Sequence, residues 1–125
     1  MPIAKTPNEV WPYILKAERN KPKKERTVFK LKFLNSAERA TIDDTRYQSG
    51  AGTASIETAI RGLVGWENFN DGNGSPVVFK KQLVSGEEVC CQENLDYLDR
   101  DNFIELVAAI SNNNRLTEDE VKNLL

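Results

Sequence analysis

The chain contains no histidine, which removes the commonest general base and a common metal ligand. Any chemistry would fall to carboxylates, lysines, tyrosines or thiols. Cysteine is almost as scarce, limited to the adjacent pair Cys90 and Cys91. Neighbouring Cα atoms stand about 3.8 Å apart, short of the usual disulfide span of about 4.4–6.8 Å, so the two are not expected to bond to each other. Without histidine they cannot complete a four-ligand zinc site by themselves, which leaves them a structural or incidental role. No apolar run reaches the roughly eighteen residues of a membrane span. The opening "MPIAKTPNEVW" lacks the charged-then-apolar layout of a secretion signal, so the expected compartment is the cytoplasm.

What is present fits one domain: 125 residues bury about two thirds of their unfolded surface without help from disulfides. The net charge of −2 hides an asymmetry. From Lys16 to Lys32 there are eight basic residues against Glu18 and Glu25, whereas from Leu83 to Leu125 three basic residues face ten acids. Opposite ends of one molecule, or of neighbouring copies, could therefore attract each other.

Residues 1–26 differ in kind from the rest. Pro2, Pro7, Pro12 and Pro22 sit among charges and each discourages helix around it, so the segment reads as an extended basic arm ahead of a domain spanning 27–125. Within the arm "VWPYIL" is an apolar cluster that must anchor on a surface, either the chain's own core or a partner. The alternation in "TVFKLKFL" predicts a half-buried strand over 27–34, with Phe29, Leu31 and Phe33 on one face. Asn35 followed by Glu38 has the reciprocal capping pattern of a helix start, and "RYQSGAGTAS" then reads as a flexible break. In "SIETAIRGLVGW" the residues Ile56, Ala59, Ile60, Leu63 and Val64 form one helical stripe, with Gly62 marking the close passage of another backbone. Gly65 suits the position just past the helix end, which would fold Trp66 back over Ile60. A second strand is expected over 76–84, pairing in one small sheet with the first. A further helix is expected after the possible caps Asp99 and Asp101, carrying Phe103, Leu106, Val107 and Ile110. A last one begins at the capping box Thr117 and Glu120, with Leu116 and Val121 at the staple positions.

The stretch "GLVGWENFNDGNGSPVVFKK", Gly62 to Lys81, invites a chemical reading and resists it. A calcium loop starting at Asp71 would have Asn73 and Ser75 in place, but Pro76 stands where glycine is required and Gln82 where a bidentate acid is required. A phosphate cradle needs glycines that lead into a helix, and here they lead towards a strand. The adjacent acids Asp43–Asp44 and Glu87–Glu88 have no activating partner at a recognisable spacing, so no enzyme is expected. Nucleic-acid binding would rest on the basic arm alone, whose aromatics flank the charges instead of interleaving with them.

The order of "AERNKPKKERTVFKLKFLNSAERATIDD", "IRGLVGWENF", "DGNGSPVVF", "NLDYLDRDNFIELVAAI" and "LTEDEVKNLL" resembles a family of small proteins from the late, structural modules of tailed bacteriophages and prophages, described as tail assembly chaperone-like. The likeness runs from about Glu18 to the C-terminus. Its most specific parts are "GLVGWENF", the Asp-Gly turn with the Phe-containing strand after it, and the ending Leu116, Thr117, Glu120, Lys122 and Asn123. It does not cover the first seventeen residues or the two cysteines. The resemblance implies virion morphogenesis: a protein that binds a tail or tape-measure component in the bacterial host cytoplasm, or is built into the virion. It implies neither cofactor nor active site.

The sequence therefore predicts an α+β domain, a small antiparallel sheet packed against three or four helices, with an extended N-terminal arm. Its expected work is protein binding in phage tail assembly. The candidate contacts are Trp66 and Phe69 with Asp71 and Asn73 of the 70–75 turn, and Trp11 and Tyr13 with Lys21, Lys23 and Lys24 of the arm. Tryptophan dominates interface hot spots, which singles out Trp11 and Trp66; a core anchor under the helix end is the competing role for Trp66. Self-association is a further option. The alternatives are a phage nucleic-acid-binding or regulatory protein acting through the arm, and an inhibitor of a bacterial host protein.

Overall fold

The computed structural model describes residues 9–112. A mixed α+β architecture is built on a three-stranded antiparallel sheet of β1 (Val10–Tyr13), β2 (Val28–Lys32) and β3 (Leu63–Glu67), in that spatial order. Helices α1 (Ser36–Ser49) and α2 (Ala51–Gly62) connect β2 to β3. A separate hairpin of β4 (Lys81–Val84) and β5 (Glu87–Cys90) follows, then a 3-10 segment (Gln92–Tyr97) and α3 (Arg100–Asn112). The helix expected from Thr117 lies outside the described residues.

The alternation of β2 has the consequence it should. Phe29, Leu31 and Phe33 are buried while Lys30 is exposed, and across the sheet they meet the inward residues of both neighbours: Tyr13↔Phe29↔Trp66 and Trp11↔Leu31↔Leu63. Lys30 pairs with Gly65 and Leu31 with Leu63, so Val64 is the extra residue of a β-bulge in β3. Helix α1 starts as its sequence predicts: the Asn35 side chain accepts from the Glu38 amide at 2.8 Å and the Glu38 carboxylate accepts from the Asn35 amide at 3.1 Å. The same carboxylate, itself buried, takes the Lys32 ammonium at 3.0 Å and so ties helix to strand.

Several expectations are corrected. The segment 9–26 is extended at Val10–Tyr13, but as the first strand of the sheet, with Trp11, Tyr13 and Ile14 buried in the chain's own core. Burying three large apolar groups outweighs the prolines, and Pro12 is tolerated because β1 is an edge strand. The break at 46–55 shrinks to one residue, Gly50, whose φ of 94° turns the chain directly from α1 into α2. Helix α2 ends at Gly62, so Gly65 and Trp66 belong to β3 and not to a helix cap. The run "LVGW" fits both periods, and pairing with β2 satisfies backbone groups that a longer helix would leave open on the sheet. The strand expected over 76–84 is regular only from Lys81 and pairs with β5, not with β2, whose two edges are already taken by β1 and β3.

The buried face of α2 is made of small residues, Ala54, Thr58, Ala59 and Gly62, with Ile56 and Ile60 only half-buried. Thr58 spends its hydroxyl on the Ala54 carbonyl at 2.8 Å. This narrow face lets α3 come close: a Cβ added at Gly62 would stand 2.5 Å from Cγ2 of Ile110. The close neighbour expected at Gly62 is thus a side chain of α3 and not a crossing backbone. Helix α3 begins at the cap anticipated for Asp99, whose carboxylate accepts from the Asn102 amide at 2.8 Å.

Candidate protein-contact site

The segment after β3 is held by its own polar groups. Asn68 takes a φ of 56°, a left-handed conformation that asparagine tolerates better than most residues. Its side-chain amide donates to the carbonyls of Lys24 and Arg26, each at 3.0 Å, and its own carbonyl accepts from the Thr27 hydroxyl at 2.8 Å. Asn68 therefore joins the two contact regions that the sequence treats separately. An open cavity of about 410 Å³ between them is lined by Lys24, Glu25, Thr27, Asn68 and Asn70.

Beyond Asn68 the chain reverses through a locked turn. The Asp71 carboxylate accepts from the amides of Asn73 (2.8 Å) and Ser75 (3.0 Å), the Asp71 amide donates to the Ser75 carbonyl at 2.9 Å, and the Gly74 amide returns to the Asp71 carbonyl at 3.0 Å. Gly74, at φ 80°, occupies a conformation that a side chain would strain. Residues 70–76 are all exposed, so this rigid loop stands clear of the core. Asp71 acts through the loop backbone, while Asn73 offers its side chain to the outside.

Under the loop sits an aromatic cluster. Trp66 meets Phe69 and Phe79 edge to face at centroid distances of 4.9 and 4.8 Å, and Phe29 lies 5.4 Å from Phe69. The Trp66 indole donates to the Val77 carbonyl at 2.8 Å, pinning the far side of the loop. Trp66 and Phe69 are half-buried and support the turn.

The remaining candidates divide. Trp11 packs against Phe33 at 4.5 Å, and Tyr13 donates its hydroxyl to Glu105 of α3 at 2.7 Å. Both are interior, so neither ring is presented to a partner. Burial first, then the bond to Glu105, pushes the Tyr13 phenol well above its ordinary range. Lys21, Lys23 and Lys24 are exposed on the turns between β1 and β2. Lys21 pairs with Glu18 at 2.6 Å, a hydrogen bond that raises the pKa of its ammonium. Arg19 and Arg26 are turned inwards to backbone: Arg19 Nε to the Ile14 carbonyl, and Arg26 Nε and Nη2 to the carbonyls of Lys21 and Arg19. Lys30 and Lys32 pair with Glu67 and Glu38 at 3.0 Å each. The basic segment is thus a braced substructure and not a loose arm, with part of its charge already engaged.

Sequence reasoning passed over Asn68, Arg26, Glu105 and Asn94. Asn94, fully buried, uses its amide group to bond both the amide (3.0 Å) and the carbonyl (2.6 Å) of Lys80 and to reach Cys90 Sγ at 3.2 Å, closing the base of the β4–β5 hairpin. Of these residues only Glu105, in "NFIELVAA", stands out in the sequence as a charge among apolar neighbours. Cys90 is buried and Cys91 half-buried, both as free thiols, and burial raises the Cys90 pKa. Among the described residues no group of three or more acids and cysteines is placed to hold a metal ion, and no helix is long and apolar enough to cross a membrane. Comparison with protein-family models, with curated proteins and with solved structures found no match.

Proposed function

We propose that this chain is a protein-binding factor of phage tail assembly, a chaperone-like partner of a tail or tape-measure protein or a small structural subunit, acting without cofactor or catalysis. The phage context rests on the order of sequence motifs around "GLVGWENF" and on nothing else. The observation that supports a binding role is the 70–76 loop, exposed throughout yet fixed by the bonds to Asp71 and by the Trp66–Val77 contact. A contact surface ordered before the partner arrives loses less entropy on binding, which is what a recognition loop requires. The neighbouring Lys24 and Asn70 extend this surface towards the β1–β2 turns.

The test is capture of the purified tail-tube and tape-measure proteins of the same phage by the immobilised chain, with wild type and Asn73→Arg compared. Asn73 is exposed, so the variant is expected to keep its melting temperature and lose capture. If wild type retains neither protein, the tail-assembly reading is wrong. If Asn73→Arg captures as well as wild type, the loop is not the contact.

A further inference from the structure

We propose that Asn73–Gly74 is a deamidation site that the turn around Asp71 holds closed, so that opening the turn converts the loop to a more acidic form with an altered main chain. This chemistry belongs to the loop itself and does not depend on the tail-assembly reading. Asn73 is the only asparagine of the chain that is followed by glycine. The backbone nitrogen after an asparagine can attack the side-chain amide carbon, and glycine, lacking a Cβ, leaves that nitrogen the least shielded. Both residues are exposed, and a Cβ placed at Gly74 would meet nothing within 4 Å. Water therefore reaches the pair, and no neighbouring group crowds the place where a ring would close.

Water is the only co-reactant. Hydroxide removes the proton of the Gly74 amide, and the Gly74 nitrogen attacks Cγ of Asn73. A C–N bond forms between them, the bond from Cγ to the side-chain nitrogen breaks, and that nitrogen leaves as ammonia after taking a proton from water. The product is a cyclic succinimide, which water opens at either of its two carbonyls. One opening leaves an aspartate in place of Asn73. The other leaves an isoaspartate, in which the main chain runs through the former side chain and is longer by one methylene. Nothing is oxidised or reduced: in sum, one amide and one water become one carboxylate and one ammonium ion.

In the folded turn the nucleophile is engaged. The Gly74 amide donates to the Asp71 carbonyl at 3.0 Å, which closes the chain over Gly72 and Asn73. The Asp71 carboxylate accepts from the Asn73 amide at 2.8 Å and from the Ser75 amide at 3.0 Å, the peptide groups just before and just after the reacting one. Asp71 therefore holds three successive amides, with the reacting nitrogen in the middle. An amide proton shared with a carbonyl is given up less readily, and attack on Cγ requires the Asn73–Gly74 peptide to rotate out of that bond. The Asp71 carboxylate also stands beside a nitrogen that must become an anion, and a like charge disfavours the ionised form.

The products do not fit the closed turn. An isoaspartate lengthens a loop whose ends are fixed, by the Asp71 amide on the Ser75 carbonyl at 2.9 Å and by the bridge between Asn70 and Pro76. Either product places a second carboxylate close to that of Asp71, where the two repel. Loss of ammonia makes the change one-way, and the altered loop cannot re-form the bonds that slowed it. If the loop is the contact surface proposed above, conversion ends its binding, and Asp71 preserves that surface as well as shaping it.

Peptide mapping by mass spectrometry reads the conversion of Asn73 directly, in the full chain incubated at neutral pH either folded or unfolded in urea. Folded wild type is expected to convert about tenfold more slowly than the unfolded chain, and Asp71→Ala, while folded by circular dichroism, about tenfold faster than folded wild type. A factor of ten corresponds to about 1.4 kcal/mol, the size of two net hydrogen bonds. Asp71→Ser keeps a side-chain acceptor in the turn and should restore part of the protection. In the unfolded chain, where the turn plays no part, Gly74→Ala should slow conversion severalfold. The comparison of folded with unfolded wild type needs no variant, so it decides the matter even where a variant fails to fold. Folded wild type that converts as fast as the unfolded chain, or a folded Asp71→Ala as slow as wild type, shows that the turn does not hold the site. An unfolded chain in which Asn73 stays intact, or in which Gly74→Ala converts as fast, shows that the pair is no such site. Any of these results overturns the proposal.

Discussion

Replacing Gly62 with alanine opposes two rules of known size. In a helix interior the change normally stabilises, by about 1 kcal/mol, and Gly62, as the last residue of α2, would receive only part of that. Against it stands Ile110 of α3: the new Cβ would lie 2.5, 2.8 and 2.9 Å from its Cγ2, Cδ1 and Cγ1. Cγ2 branches directly from the Ile110 backbone-proximal carbon and cannot swing aside alone, and the residue is 1 % exposed. Overpacking of this kind costs about 1–3 kcal/mol. A cavity of about 200 Å³ between Leu34, Ile42, Thr58 and Ile110 gives the isoleucine some room to retreat, which keeps the cost off the upper limit. The net expectation is a loss of about 1–2 kcal/mol, read in urea unfolding as a midpoint lower by roughly 0.5–1 M with the slope unchanged. The Ile110→Ala background makes the test specific. That substitution alone costs about 2–5 kcal/mol, but it removes all three clashing atoms, so adding Gly62→Ala there should be neutral or stabilising, with a coupling of about 1–3 kcal/mol. If Gly62→Ala stabilises the otherwise wild-type chain, or costs the same in both backgrounds, the helix contact is not as described.

Tyr13→Phe removes the hydroxyl bonded to Glu105 while keeping the ring; a loss of about 1–2 kcal/mol is expected at neutral pH by denaturant titration, with the Glu105–Lys16 amide bond retained. Asn94→Ala strips both backbone bonds from Lys80 at the base of the hairpin and should cost about 1–3 kcal/mol, and Asn94→Asp should not restore it, because a carboxylate would face the Lys80 carbonyl. The Cys90 and Tyr13 pKa values are both raised in the fold, so the native state holds the neutral forms and the unfolded chain releases protons first. Stability should therefore be intact below about pH 8.5 and fall as pH rises past the ordinary thiol value and then, above about pH 10, past the ordinary phenol value. Cys90→Ala should flatten the first part of that fall, and no flattening would show that Cys90 does not contribute.

How much was legible depended on whether the deciding interaction was local. The Asn35–Glu38 box, the Asp99 cap, the alternation of β2 and the Asp71 turn were all readable because each is completed within a few residues. The fate of "LVGW" was not, since helical and strand spacings coincide over so short a run and the open edge of β2 decides between them. The break at 46–55 was misread for the related reason that α1 and α2 run up to a single left-handed Gly50 and are held by packing, which propensity alone does not report. The contact regions fared similarly. Trp11, Tyr13 and Trp66 stand out in sequence as large aromatic groups, and the same property that makes such residues interface anchors makes them core residues.

The sequence alone fixes the α+β class, the starts of α1 and α3, the inward face of β2, the reversal at Asp71 and the absence of histidine chemistry, because composition, caps and short-range periodicity carry that information. Only the tertiary structure decided that Val10–Tyr13 form a strand, that Asn68 staples the turns after that strand to the chain beyond β3, and that Gly62 is a contact with Ile110. Each of these joins residues far apart in the chain, and such pairings are set by which surfaces remain to be buried and which polar groups remain to be satisfied once the local elements have formed.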